Sequence, residues 1–267
     1  VTPRNFGRIA AQNAKQVVVQ RIREAERGMV FEKFSSREND IVTGIIQRME
    51  NKNVYIDLGK AEAILTPNEQ IPGEIYQYHD RMKTYIVEVK KTSKGPQIMV
   101  SRTHPGLLKR LFELEVPEIH DGLVEIKSVA REPGMRSKIS VYTKDENIDP
   151  VGACVGHKGM RVQTIVNELR GEKIDIVKYS SEPDQYVANA LSPAKVVSTE
   201  VLEEEKICRV IVPDYQLSLA IGKEGQNARL AAKLTGWKID IKSESQAAEE
   251  AEQGAQEVGV AYEADED

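Results

Sequence analysis

Val151-Gly152-Ala153-Cys154-Val155-Gly156-His157-Lys158-Gly159 and Gln216-Leu217-Ser218-Leu219-Ala220-Ile221-Gly222-Lys223-Glu224-Gly225 are two versions of one segment. Each closes an apolar run of helical period on Gly-x-x-Gly. Each then passes through a second helix-like stretch, to Gly171 or Gly236, into Lys173-Ile174-Asp175-Ile176 or Lys238-Ile239-Asp240-Ile241. The glycines are offset by 66 residues and the Lys-Ile-Asp-Ile strands by 65, so one residue is lost in the intervening helix. Working outward, two strand-like runs precede each segment: Leu123 to Val129 and Lys138 to Tyr142 in the first copy, Lys195 to Leu202 and Lys206 to Val212 in the second. A helix at Pro105 to Leu114, or around Asp184 to Leu191, comes before each pair. The repeated unit is therefore helix, strand, strand, helix, Gly-x-x-Gly, helix, strand, which predicts a compact α+β sandwich with helices on one face. Only Ser180-Ser181-Glu182-Pro183 joins the copies, so they are expected to pack rigidly together.

Glycine has no Cβ, so each Gly-x-x-Gly can take unusual dihedrals and let a ligand's backbone come close to its amides. The helix that follows begins just after the second glycine. Its unpaired N–H groups and positive dipole end suit a phosphate. Lys158 and Lys223 add point charges. The helices before the loops carry start signals, Asp149-Pro150 in one copy and Pro213-Asp214 in the other. Other phosphate motifs fail: a nucleotide-triphosphate loop would need glycine at Leu217 and Ser or Thr at Glu224, and neither loop has Gly-x-Gly-x-x-Gly after a strand. Catalytic motifs are missing as well, with no Gly-x-Ser-x-Gly, His-Glu-x-x-His or paired Cys/His spacing. Cys154 and Cys208 sit in apolar runs 54 residues apart and His79, His104, His120 and His157 are scattered, so no metal, cofactor or disulfide framework is expected and both thiols read as small buried hydrophobes.

Between Asp40 and Arg102 the period changes to two, broken by Gly44, Gly59, Pro67, Pro72, Gly73 and Gly95-Pro96. About five short strands in about 65 residues predict a small closed barrel of the OB type. In Asn53-Val54-Tyr55-Ile56-Asp57-Leu58 the aliphatic residues share one face and leave Tyr55 on the other, with Arg48 and Lys52 near it in the hairpin as candidate barrel contacts for a stacked nucleic-acid base. Upstream, Asn5 to Arg27 has helical period with Gly28 placed to end it, a connector helix. The 267 residues include only 9 Tyr, 4 Phe and 1 Trp, so the cores must be aliphatic. No apolar stretch approaches the ~18 residues of a membrane span and no signal peptide stands out, so a cytoplasmic chain without membrane contact is expected. The net charge of -5 is unevenly placed: nine of the 42 acids lie after residue 242, where there is no Lys or Arg, and the other 33 face 37 basic residues. The body is mildly cationic. The acidic tail has too few large apolar residues for a core and is expected to be disordered.

The two Gly-x-x-Gly units resemble KH domains, modules that clamp about four nucleotides of RNA backbone, and their strand-first order resembles the type II arrangement. Asp40-Ile41-Val42-Thr43-Gly44-Ile45-Ile46 through Tyr85-Ile86-Val87-Glu88-Val89 to Val100-Ser101-Arg102 resembles an OB barrel of the S-one type. Taken with Thr103-His104-Pro105-Gly106-Leu107-Leu108 at the junction and Asn227-Ala228-Arg229-Leu230-Ala231 after the second loop, the whole resembles the bacterial NusA family of transcription factors.

That resemblance implies a non-enzymatic factor that binds nascent single-stranded RNA and modulates RNA polymerase pausing, termination and antitermination. It implies a polymerase-anchoring domain ahead of the connector helix that this chain lacks, and other transcription factors as further partners of a monomer. Carried onto this sequence, it places RNA contacts at Val155, Gly156, His157, Lys158, Gly159 and Arg161, and at Ile221, Gly222, Lys223, Glu224, Gly225, Asn227 and Arg229, with Val155 and Ile221 walling an aliphatic base groove. The expected division is a connector helix and linker over 1–38, the barrel over 39–103, KH units over 104–180 and 181–243, and the tail over 244–267. An accessory part of an RNA-processing or ribosome-assembly protein is the alternative; polynucleotide phosphorylase, which shares both modules, carries them in the opposite order.

Overall fold

A computed structural model describes residues 6–263, with side chains through 253. Asn5 of the expected connector helix and the tail acids Asp265, Glu266 and Asp267 lie outside the described residues. The chain divides into two compact units, Val1–Arg110 and Leu111–Asp267.

The first unit opens with helix α1 (Phe6–Ser35). The sequence predicts its end at Gly28, yet the helix runs a further seven residues. A mid-helix glycine costs about 1 kcal/mol. The residues beyond it outweigh that cost, because Phe34 is buried in the barrel core and Val30 and Phe31 pack against the same cluster. Strands β1 (Ile41–Glu50), β2 (Asn53–Asp57), β3 (Glu62–Leu65), β4 (Arg81–Thr92) and β5 (Gly95–Ser101) close into a barrel in the order β1-β2-β3-β5-β4. The β3/β5 pair is parallel and the others are antiparallel. Alternation sorts the residues as the period of two requires: Val54 and Ile56 point inward and are fully buried, while Asn53, Tyr55 and Asp57 are half-buried on the other side. Strand β1 pairs with both β2 and β4, and closure brings the chains so near that a Cβ on Gly44 would lie 2.7 Å from the Asp57 carbonyl oxygen. The core is aliphatic, built on Ile46, Leu65, Ile86 and Ile98.

Helix α2 (Pro105–Glu115) spans the division between the units. In the second unit follow α3 (Pro117–His120), β6 (Glu125–Glu132), β7 (Arg136–Tyr142), α4 (Pro150–Val155), α5 (Met160–Glu168) and β8 (Lys173–Lys178). The second copy has α6 (Pro183–Ala190), β9 (Ser198–Leu202), β10 (Ile207–Val212), α7 (Leu217–Ile221), α8 (Gln226–Thr235) and β11 (Lys238–Ser243). Each copy is an antiparallel hairpin whose second strand also pairs in parallel with the third, β6-β7-β8 and β9-β10-β11.

The expectation of helices on one face needs correction for the first sheet. Strand β7 is buried at every position from Ser137 to Val141, whereas β10 alternates. A strand buried on both sides needs two covers, and the second copy supplies the extra one. Ala130 and Val177 of the first sheet share a core cluster with Val187, Leu191, Leu230 and Leu234. Across the same junction the Tyr186 hydroxyl is 2.8 Å from Ser140 Oγ, and Lys138 Nζ donates to the Ser192 carbonyl oxygen at 2.7 Å and to Asp175 at 3.1 Å. The two copies are one packed body.

The tail is the second correction. Residues Glu244–Glu263 form helix α9 where disorder was expected. Its start is a capping box: the Gln246 amide donates to Ser243 Oγ at 3.2 Å, and the Ser243 amide to Gln246 Oε1 at 3.1 Å. Ser245 bonds Asp214 and Lys242 pairs with Glu250, which ties the first turns to the second copy. Ala, Glu and Gln are strong helix formers, so a segment that cannot build a core can still extend a helix nucleated by packed residues.

Candidate nucleic-acid interface

Both Gly-x-x-Gly segments are tight turns between helices, and their backbones coincide. Gly156 takes φ 75°, ψ 175° and Gly222 takes φ 78°, ψ 170°. Lys158 (50°, 29°) matches Glu224 (55°, 26°), and Gly159 (76°, 13°) matches Gly225 (73°, 14°). The first glycine of each pair lies in a region only glycine tolerates. The second glycine caps the following helix in the left-handed conformation, and neither α5 nor α8 has a side-chain acceptor on its first turn. Within each turn the amides of Gly159 and Met160, and of Gly225 and Gln226, donate to the carbonyl oxygens three residues back. Nothing lies within 4 Å of where a Cβ would stand on Gly159 or Gly225, so an extended phosphate backbone can come close there. His157, Lys158, Lys223 and Glu224 are exposed at the crests of the turns. Lys158 and Glu224 occupy the same place with opposite charge.

Two residues assigned to RNA turn inward. Arg161 Nη1 donates to the Ala153 carbonyl oxygen at 2.6 Å and to Glu118 at 2.9 Å, with its methylenes against Gly156. Asn227, in the equivalent position, is buried, and its Nδ2 donates to the Ala220 oxygen at 2.9 Å and the Leu191 oxygen at 3.1 Å. Both staple a loop to the helix before it; this takes up the buried Asn227 side chain, whereas the Arg161 side chain stays 30% exposed. Sequence reading could not separate these uses, because a donor just after a tight turn can face either way.

Arg229 is exposed but engaged. Its Nε donates to Glu132 at 2.6 Å and its Nη1 to the Glu224 carbonyl oxygen at 3.1 Å. Glu132 holds the guanidinium protonated, and Arg229, followed by Gln226, in turn holds the Glu132 carboxyl below its usual range against the opposing effect of partial burial. Asp149 caps α4 as predicted, accepting from the Val151 amide at 3.1 Å. Asp214 does not repeat this: it accepts from Ser245 instead, which lowers its carboxyl pKa. Burial pushes the Cys154 thiol up to about 12, consistent with an inert hydrophobe.

The apolar wall differs between the copies. Val155 is half-buried, while Ile221 is 37% exposed and Leu219 46%. Tyr215, outside the residues that the sequence predicts for the site, is 83% exposed just ahead of α7, where the 66-residue offset puts Asp149 in the first copy. A lone aromatic in a chain so poor in them was the available signal.

On the barrel, the Arg48 guanidinium stacks over the Tyr55 ring at 4.0 Å and pairs with both Glu62 oxygens at 2.6 and 2.9 Å. Arg48 is thereby largely committed, and Lys52 stays exposed in the turn. Tyr55 instead lines a cleft of about 970 Å³ between α1 and the barrel, whose walls include Arg23, Arg27, Lys33, Lys60 and Lys94. Among the described residues no His/Cys/Asp/Glu group could hold a metal, and no helix is long and apolar enough to cross a membrane.

Comparison with known families matches residues 102–179 to the NusA-like first KH domain and 183–249 to the NusA-like second KH domain. Residues 35–101 match the S1 RNA binding domain and 1–28 the NusA N-terminal domain, so most of α1 carries part of the domain whose absence the sequence resemblance implies. Curated relatives called transcription termination/antitermination protein NusA include that of Halalkalibacterium halodurans, 72% identical over 93% of this chain and 65% of its own length. The Bacillus subtilis protein is 71% identical over 93% of this chain and 67% of its length, and the Mycobacterium tuberculosis protein 51% identical over 91% and 73%. The chain thus spans about two thirds of the length of these relatives.

Proposed function

Because the chain belongs to the NusA family of transcription termination/antitermination proteins, we propose that it binds nascent single-stranded RNA through its two KH units and so modulates pausing, termination and antitermination by RNA polymerase. The observation that carries this reading is the near-identical backbone of two uncapped Gly-x-x-Gly turns in one packed body. Each turn has an open approach over its second glycine and an exposed crest, room for about four nucleotides, so a single strand of ~8 or more nucleotides is the ligand. Gly156 to Gly159 and Gly222 to Gly225 contact its backbone, with Val155 and Ile221 beside the bases. The first turn adds the Lys158 charge; the second, where Glu224 offsets Lys223, relies on its amides.

The units are of type II, since the third strand of each pairs in parallel with the second. The barrel is of the OB type, on its five-strand order and its parallel β3/β5 closure. Its basic cleft beside Tyr55 is a second place for RNA. The factor is a cytoplasmic monomer without enzymatic activity. It meets polymerase mainly through an N-terminal domain of which residues 1–28 match a part, and meets other transcription factors on the same complex.

Fluorescence anisotropy with a labelled, unstructured 12-nucleotide RNA tests this. If about four phosphates are neutralised, log affinity falls against log salt with a slope of about -3. Changing His157, Lys158, Lys223 and Glu224 together to Asp abolishes binding and leaves the circular dichroism spectrum unchanged, because all four are exposed. Full affinity in that variant overturns the assignment.

A further inference from the structure

The two loops are held differently, and the difference crosses the boundary between the copies. The first loop is stapled within its own copy, by Arg161 to Ala153 and Glu118. The second, stapled within its own copy by Asn227, is gripped from the first copy as well. Glu132, the last residue of β6, accepts from Gln226 Nε2 at 2.8 Å and from Arg229 Nε at 2.6 Å. Gln226 directly follows Gly225, and Arg229 reaches on to the Glu224 carbonyl oxygen inside the turn at 3.1 Å. One carboxylate thus holds the C-terminal side of the second Gly-x-x-Gly at two points.

Glu132 is itself fixed. Its neighbour Arg131 is buried and forked onto Glu172 at 2.8 and 2.9 Å. The same Glu172 carboxylate accepts the Gly134 amide at 2.9 Å and the Ser137 hydroxyl at 2.6 Å, so the whole turn from β6 to β7 is anchored on a fully buried group. The chain of contacts runs without a gap from the floor of the first copy to the backbone of the second loop. Its members are bidentate or charge-assisted, the kind that fixes geometry most firmly.

We propose that Glu132 is a positioning residue for RNA: it sets the place of the second Gly-x-x-Gly turn relative to the first, so that one strand can engage both. The proposal rests on the reading of these turns as RNA clamps. Glu132 needs no contact with RNA. Binding at two linked sites gains from the second only if geometry permits both at once. Freeing α8 at its first turn loosens that geometry without opening the core, since Leu230 and Leu234 stay packed further along the helix.

The test is a double-mutant cycle on the full chain with a labelled 12-nucleotide single-stranded RNA. Glu132→Ala is measured with both loops intact, and again with Lys223 and Glu224 changed to Asp so that the second loop is already disabled. The expected loss is about tenfold in the first background and less than twofold in the second, the signature of a residue acting through that loop. Gln226→Ala, which changes no charge, lowers affinity in the same background by a smaller factor and separates geometry from electrostatics. Glu132→Gln, which keeps an acceptor oxygen, restores part of the loss. An equal loss in both backgrounds, or no loss with the loops intact, overturns the proposal. A wild-type chain that fails to bind the RNA at all overturns the underlying reading of the loops instead.

Discussion

Gly156 and Gly222 look interchangeable in the sequence, and their surroundings separate them. An added Cβ at Gly156 would meet Arg161 Cγ at 2.6 Å and Cβ at 2.9 Å, side-chain atoms of which only the Cγ can rotate away. At Gly222 it would meet the Asn227 backbone nitrogen at 2.7 Å, which cannot. Both sites also carry the strain of a region barred to residues with a Cβ, about 1–3 kcal/mol. Gly156→Ala and Gly222→Ala should therefore both lower the melting temperature of the second unit, by about 4 °C or more, with Gly222→Ala the worse. Thermal unfolding followed by circular dichroism checks the order; an equal or reversed effect means that the Asn227 contact is not the constraint. The glycines themselves were legible, since only spacing and repetition were needed to find them. The inward turn of Arg161 and Asn227 was not, because the partners that hold them are carbonyl oxygens of the preceding helix and a carboxylate 43 residues away, none marked by any local pattern.

Ser243 stands where β11 passes into α9, and its hydroxyl and amide both serve the capping box with Gln246. Ser243→Ala removes one half of that exchange and should cost the helix about 1 kcal/mol. Hydrogen exchange at the amides of residues 246–253 should then quicken about fivefold, while amides of the buried strand β10 keep their protection. Unchanged exchange in α9 would mean that Asp214 and Lys242, not the cap, fix its start. The Ser-x-x-Gln signature is legible in the sequence, and at this junction it outweighs the composition that predicts disorder. Strands were easier: period two in Asn53 to Leu58 and the twin Lys-Ile-Asp-Ile runs placed them within a few residues. The limits of α1 were harder, because Phe34 overrides Gly28 only through a barrel that forms elsewhere in the chain. The uniform burial of β7 had the same kind of cause, a cover contributed by the other copy.

Repetition of one small unit gives this protein two equivalent turns, and a shared core makes them parts of one body. Local spacing predicted the repeats. The joint between them depends on contacts such as Tyr186 to Ser140 and Arg229 to Glu132, separated by 46 and 97 residues, which no period in the sequence announces. On the function proposed above, an RNA strand would meet two matching turns held in one body, one with a lysine at its crest and the other with a glutamate in the same place. The most direct measurement is a titration of the isotope-labelled chain with an unstructured 12-nucleotide RNA, following backbone amide resonances by NMR. The amides of Gly156, Gly159, Gly222 and Gly225 should shift together and saturate at one equivalent of RNA. Perturbations confined to other surfaces, with these four glycines unmoved, would contradict the account.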